Sequence, residues 1–581
     1  MKIFFSCFLI RLLCIGTSFA AIPSNQSSLT KKRVLADLDS IHTIFSVKYA
    51  PLKWKEESTT WRLDQAIQEA KNKIENQSYP TLKECQVVIR DFFNSVCDYH
   101  THVEFYSTES ASLPFLIKGA NQRYFICEID SDKISKKQFP FAVGDEILTF
   151  DGEPIDKVVE DLRKTEFGSN TYSTDLALAT MLLTNRHGSL GNKIPKGNVI
   201  VTGRHKRNNK IISANLRWNY IPEKICDFSK ITALKTDLQT NVRFLNHPSI
   251  FHTPLKQNSF LRKFMVFPQW TYLHPNHRTL NKHQIGARSS YLPSIGKKIW
   301  ESEQDSPFDA YIFETPIGKT IGYIRIPHYM GEIEEVSYFG EIINYFQTET
   351  DGLIIDQLDN PGGSVLYLYA LASILTDKPL NTPKHHISLT QAEVETALST
   401  LSYLEDCKDE ETTNLILGDE AEGYPMSYLF VVLMRKFYQF LIDQWNRGKL
   451  YTDLTHVFGV DQIMPHPEYR YTKPILVLIN SLDFSGGDFF PAILQDNKRA
   501  TLMGTRTAGA GGYLMTATFP NQSGIKEFMM TGSLARRMNK DVIENKGVNP
   551  DILYELTPED LQEDYHCYID AIMQTISSLV K

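Results

Sequence analysis

Pro474-Ile-Leu-Val-Leu-Ile479, continued by Asn480-Ser-Leu-Asp-Phe-Ser485-Gly-Gly-Asp-Phe-Phe-Pro-Ala-Ile-Leu494, decides how this chain is read. The first stretch is apolar at successive positions, so it predicts a strand buried on both faces rather than an amphipathic edge. The second leaves that strand through a polar turn and opens a helix. Ser485 stands at the junction, where free N–H groups and the positive end of the helix dipole can stabilise a developing oxyanion. Gly486 and Gly487 remove side chains that would crowd a substrate carbonyl. The arrangement follows the logic of a nucleophile elbow without its usual glycine spacing. An ordinary helix-capping serine has similar neighbours, so the local pattern leaves both readings open.

Working outward, the same pattern fills the region from about residue 296 to the C-terminus. Strands are predicted at 320–326 and 352–356, and helices at 364–375, 391–404, 428–445 and 489–496. Strands of this kind imply a sheet covered on both faces, hence an α/β domain over 296–581. Residues 28–105 read as helices, with Leu35, Leu38, Ile41, Ile44 and Phe45, then Val87, Val88, Phe92, Phe93 and Val96, at helical spacing. Between them lies a β-rich region, 106–220. Its Gly144-Asp-Glu-Ile-Leu and Asp151-Gly turns and its 198–204/211–218 hairpin resemble a PDZ-like domain, which binds extended peptide at a sheet edge.

The segment assigned as a linker, 221–295, differs in character. Within 231–290 there are eight Lys or Arg against one acid, Asp237, with Phe, Trp and Tyr interspersed. Such a stretch suits a basic binding arm or a strap over a groove of its own protein better than a solvated tether. At the N-terminus, Lys2, an apolar run and Ser18-Phe-Ala20 predict a signal peptide over 1–20, and with it secretion.

Composition bounds the function. A chain of 581 residues, 42% hydrophobic and 22% charged, supports several packed domains and excludes disordered and collagen-like classes. Its net charge of −7 argues against a nucleic-acid binder held by phosphate neutralisation. No long apolar run follows the first twenty residues, so no membrane span is expected in the mature form. Cys85, Cys97, Cys127, Cys226, Cys407 and Cys567 are scattered without a C-x-x-C pair, which argues against a structural zinc site or a dense disulfide framework.

A serine nucleophile needs a base, and the base needs a group to orient it. His100 in Asp98-Tyr-His-Thr-His102 is the candidate base; the His-x-His spacing would also suit two metal ligands, but no third ligand of suitable spacing supports a metal. Glu544, in a loop closed by Gly547 and Pro550, is the candidate orienting acid. The Asp359-Asn-Pro-Gly-Gly363 turn offers the N–H groups of Gly362 and Gly363 as partners for that of Gly486 in an oxyanion hole.

Taken together, Asp98-x-His100-Thr101, Gly144-Asp145, Tyr323-Ile-Arg-Ile326, Asn360-Pro-Gly-Gly363, the junction serine and Gly547-Val-x-Pro-Asp-Ile552 resemble, in order, the C-terminal processing (tail-specific) serine peptidases. The usual members of that family employ a Ser–Lys dyad. Here the position of the dyad lysine falls at Ala510, in Thr507-Ala-Gly-Ala-Gly-Gly512, so a histidine base is required. The stretches 353–357, 360–370, 504–512 and 543–545 are most similar to a histidine-dependent branch of the family, secreted virulence proteases with a Ser-His-Glu triad. That resemblance implies Ser485 as nucleophile, His100 as base and Glu544 as acid, with no metal or organic cofactor. It further implies protein substrates, host proteins among them, a homodimer, and a zymogen whose internal segment blocks the site until self-cleavage. An alternative of another class is a catalytically degenerate peptidase that serves as a PDZ-like peptide-binding scaffold.

Overall fold

The computed structural model describes residues 24–78, 80–168, 170–224 and 281–581. The expected signal peptide, Cys226 and most of the expected inhibitory segment lie outside the described residues.

The strand Ile475–Ile479 lies inside a seven-stranded sheet. The order is 298–301, 310–314, 320–325, 352–356, 475–479, 501–504, 552–553. From 320–325 onward the pairings are parallel, and the first two strands add an antiparallel edge. Successive residues of one strand feed opposite cores: Leu353, Ile355 and Val477 pack on one side, Ile354, Leu476 and Leu478 on the other. This is why the strands read as unbroken apolar runs. Helices 365–374 and 486–496 cover the first face, and the C-terminal helix His566–Leu579 covers the second.

The PDZ-like region is a sheet of 115–120, 123–129, 146–150, 198–204 and 211–217, with 153–154 paired to its middle strand, and helices at 155–166 and 172–182. Gly144 and Gly152 both take positive φ, as the turns around the 146–150 strand require. Strand 115–120 lies at the sheet's edge. Beside it a cavity of about 490 Å3 runs between helix 172–182 and the loop after strand 475–479, with Leu176, Ser481 and Leu482 in its wall.

Among the described residues the N-terminal region holds four helices, α1 (Ser24–Lys48), α2 (Leu52–Ser58), α3 (Leu63–Asn76) and α4 (Leu82–Ser95). The helical reading stops short of residue 105. His102–Phe105 form a strand, β1, paired antiparallel with Ile525–Thr531 of the C-terminal region. Phe45 and Phe93 of the helices pack directly against Phe528, in one core that also holds Phe92 and Met530. The segment that carries His100 is thereby fastened to the domain that carries Ser485. Cys85, Cys97, Cys127, Cys407 and Cys567 are free thiols, and no described helix is long and apolar enough to cross a membrane.

Candidate active site

Ser485 is held in a strained conformation. Its φ is 53° and ψ −109°, a region that non-glycine residues occupy only where the surroundings enforce it. The enforcement comes from two buried carboxylates. Asp483 accepts the N–H groups of Asn360 (3.0 Å) and Asn480 (2.9 Å) and the Gln357 amide (3.1 Å), which fixes the loop against the strand 352–356 side. Asp488, one turn into the helix, accepts the N–H groups of Ser485, Gly509 and Ala510, each at 2.9 Å, and the Thr507 hydroxyl. Burial pushes the Asp483 carboxyl up, and that of Asp488 to about 6, against the pull of these donors.

The glycine turn closes on the serine. A side chain on Gly362, whose φ is +92°, would stand 2.7 Å from the Gly486 nitrogen and 2.8 Å from the Ser485 Cβ. One on Gly486 would meet the Gly363 nitrogen at 3.2 Å. The three glycines named from the sequence therefore converge on Ser485. The N–H of Gly362 donates to Asn360 Oδ1 at 2.8 Å, which locks the turn. Parallel bridging to Tyr329 holds its other side, with Tyr329 N donating to Gly362 O and Ser364 N to Tyr329 O.

His100 follows α4 in a turn capped by Asp98, whose carboxylate accepts the His100 N–H at 2.8 Å. The other Asp98 oxygen accepts the hydroxyls of Tyr49 (2.9 Å) and Thr531 (2.7 Å). The imidazole is 1% exposed. Burial lowers its pKa to about 4 despite the opposing Asp98 charge, so the ring is neutral at pH 7, as a general base must be. Both its ring nitrogens, and both of His102, lack a hydrogen-bond partner among the described residues.

Glu544 is fully buried, with Oε2 accepting the Gly511 N–H at 3.1 Å and Oε1 3.3 Å from the ammonium of Lys55. Burial, reinforced by the Asp98 charge, raises its carboxyl to about 8, while Lys55 and Gly511 pull it down.

Two contacts draw these three corners together. The rings of Tyr99 and Phe484, the chain neighbours of His100 and Ser485, meet edge to face at 5.5 Å. The loop 507–511 spans the gap from nucleophile to acid: Gly509 and Ala510 donate to Asp488, and Gly511 donates to Glu544. Ala510, at the place of a dyad lysine, thus serves by its backbone alone. Asp488 stands three residues after Ser485, a capping-box spacing that could have been noticed. Lys55 gave no such signal, because a lysine in a short polar helix ordinarily faces water. His102 begins β1 opposite Met529, and no group of three or more His, Cys, Asp or Glu suited to a metal is found among the described residues.

Comparison with known proteins gives the family. The PDZ domain family matches residues 109–225, and peptidase family S41 matches residues 320–554. An uncharacterized protein of Chlamydia muridarum is 37% identical over 98% of this chain and 97% of its own length. A protein of Chlamydia pneumoniae is 38% identical over 95% of this chain and 91% of its own. The solved structure of mature CPAF (Chlamydia protease-like activity factor) complexed with lactacystin superposes with a TM-score of 0.80 at 35% identity. It covers 95% of this chain and 99% of its own. The chain belongs to the CPAF family of S41-type serine peptidases. It is therefore a serine-type peptidase, built from N-terminal helices, a PDZ domain and an S41 peptidase domain.

Proposed function

We propose that the protein is a secreted serine endopeptidase with a Ser485–His100–Glu544 triad, made as a zymogen and activated by cleaving its own internal segment. The observation that supports the triad is the pair of links between its three segments: the Tyr99–Phe484 ring contact beside His100 and Ser485, and the 507–511 loop that bonds both Asp488 and Glu544. In the reaction, His100 takes the proton of the Ser485 hydroxyl as its oxygen attacks the scissile carbonyl, and later gives that proton to the leaving amine. Glu544 accepts the other imidazole N–H, which fixes the tautomer and stabilises the imidazolium. The tetrahedral oxyanion is held by the N–H groups of Gly486 and Gly363 at the helix entrance. Gly362 belongs to the same turn and shapes it, its own N–H being engaged by Asn360.

The zymogen reading is supported by the unpartnered ring nitrogens of His100: the Ser485–His100 and His100–Glu544 hydrogen bonds are not made in the uncleaved chain. The basic, aromatic composition of 231–290 suits a segment lying in a substrate groove until it is cut. Host proteins as substrates, export by the N-terminal signal and a homodimeric active form complete the proposal.

Intact-mass measurement over time, on the wild-type protein without residues 1–20 and on Ser485→Ala, tests it alongside a denatured protein substrate. Cleavage within 221–295 and loss of substrate in the wild type alone is the expected result. Equal cleavage in both proteins would remove Ser485 from the role of nucleophile, and peptide binding without turnover would favour the scaffold reading.

A further inference from the structure

Lys55 is 1% exposed, and a lysine is almost never so deeply buried unless its charge is matched. An ammonium has three N–H donors, and three acceptors surround this one. Its Nζ donates to the Cys97 carbonyl at 2.7 Å and to Asn545 Oδ1, and stands 3.3 Å from Glu544 Oε1. Cys97 lies three residues before His100, and Asn545 adjoins Glu544. Asn545 strengthens the link by donating its own amide to the same Cys97 carbonyl at 2.7 Å. All three acceptors thus belong to the two loops that carry the base and the acid, and none is the serine.

Charge counting gives the same answer. The pocket contains two buried carboxylates, Asp98 and Glu544. Tyr49 and Cys97, which also face it, are pushed upward by burial and stay neutral. When both carboxylates are ionised, Lys55 offsets one of their two charges, and it pulls the Glu544 carboxyl down against burial and Asp98. Without Lys55 that offset is lost, and in a buried site one carboxylate holds its proton more firmly. Asp98 is bound by three donors, so Glu544 is the one to protonate. A protonated acid no longer accepts the imidazole N–H.

We propose that Lys55 is a positioning residue of the reaction: it clamps the Glu544 loop to the His100 loop and draws Glu544 toward its ionised form beside Asp98. This rests on the triad reading. Lys55 acts through Glu544 and touches neither substrate nor nucleophile, so it does not replace the lysine of a Ser–Lys dyad.

The test is a double-mutant cycle on the full chain, with kcat and KM measured from pH 5 to 9.5 for wild type, Lys55→Met, Glu544→Gln and the double variant. Folding is checked by near-UV circular dichroism. Lys55→Met is expected to lower kcat roughly 10- to 100-fold at pH 7 with KM little changed. Its acidic limb should move to higher pH, so that part of the rate returns by pH 9. In the Glu544→Gln background the same substitution should cost about twofold or less, because the group it acts through is gone. Additive losses, a loss independent of pH, or a faster Lys55→Met enzyme would each overturn the proposal. If Lys55→Met does not fold, Lys55→Arg serves: retained charge predicts an unshifted limb, and a shifted one overturns the proposal. A Glu544→Gln enzyme of full activity would instead overturn the triad reading itself, and the Lys55 proposal with it.

Discussion

The two halves of the site are built differently. The nucleophile corner is local and closed. Ser485, Asp483, Asp488 and the 507–511 loop lie within one domain, and every oxygen of both carboxylates is engaged by a backbone or side-chain donor of that domain. The base and acid corner is assembled across the chain. Asp98 bonds Thr531 over 433 residues and Lys55 bonds Asn545 over 490, yet the His100 imidazole has no partner for either ring nitrogen among the described residues. A corner made of one domain is strained and ready, whereas a corner made of two regions depends on how those regions sit together. On the zymogen proposal, control of activity belongs in the second.

The comparison breaks most readily at Asp488. Asp488→Ala removes the acceptor of three backbone N–H groups and the Thr507 hydroxyl at once, all buried. Unpaired buried donors of this kind cost about 1–3 kcal/mol each before relaxation, so a net loss of roughly 3–5 kcal/mol is expected, the range for breaking a buried charged network. The 507–511 loop should come free, and with it the link to Glu544. Urea unfolding and labelling of Ser485 by a fluorophosphonate serine probe would read both effects. A variant that keeps wild-type stability would mean the nucleophile corner is not held by this carboxylate.

Gly362→Ala is a gentler cut at the same corner. The added methyl meets the Gly486 nitrogen and the Ser485 Cβ inside van der Waals contact, at a φ that side chains avoid. Displacing the turn pulls a donor from the oxyanion position, and kcat should fall by about 10²–10³ with KM little altered. Gly152→Ala is the control. It has a similar φ of +86° but open space around it, so it should lower stability slightly and leave kcat unchanged. Equal effects of the two substitutions would assign the Gly362 loss to backbone strain alone.

How much of this was legible in the sequence follows the same division. Strands 352–356 and 475–479, the Asp359–Gly363 turn and the elbow at Ser485 were readable, because a parallel strand buried on both faces is an unbroken apolar run and its turns need glycine. Gly144 and Gly152 marked the PDZ turns for the same reason. Local residues specify these features. What could not be read depends on partners far along the chain. Nothing in His102–Phe105 shows that it pairs with a strand whose Lys526 meets Glu104 across 422 residues, so the region looked like the end of a helical bundle. Nor does the polar helix around Lys55 show that its ammonium is enclosed by Cys97, Glu544 and Asn545. The histidine and the glutamate were proposed through motif order, since neither has a local signature of the role proposed for it.

The smallest predicted effect sharpens the contrast through pH. His100 titrates near 6.5 when unfolded and at about 4 when folded, so its folded pKa is depressed by burial. As pH falls from about 6.5 toward 4 the unfolded chain takes up a proton that the folded chain refuses, and stability declines. Glu544 acts in the opposite direction. Its folded pKa is raised to about 8, so the folded chain holds a proton that the unfolded chain gives up above about 4.5, and stability declines as pH rises toward 8. The base and acid corner is thus squeezed from both sides of neutrality. His100→Gln should flatten the acidic slope of the urea midpoint between pH 4 and 6.5, and Glu544→Gln the alkaline slope between pH 5 and 8. Each difference is bounded by a few kcal/mol, at about 1.4 kcal/mol per pKa unit, and closing the His100–Glu544 hydrogen bond would shrink both. Wild-type protein cleaved within 221–295 should therefore show flatter slopes than uncleaved Ser485→Ala. Identical slopes in the two would mean that cleavage leaves the imidazole as unpartnered as it is in the whole chain, and that the regulated half of the site lies elsewhere.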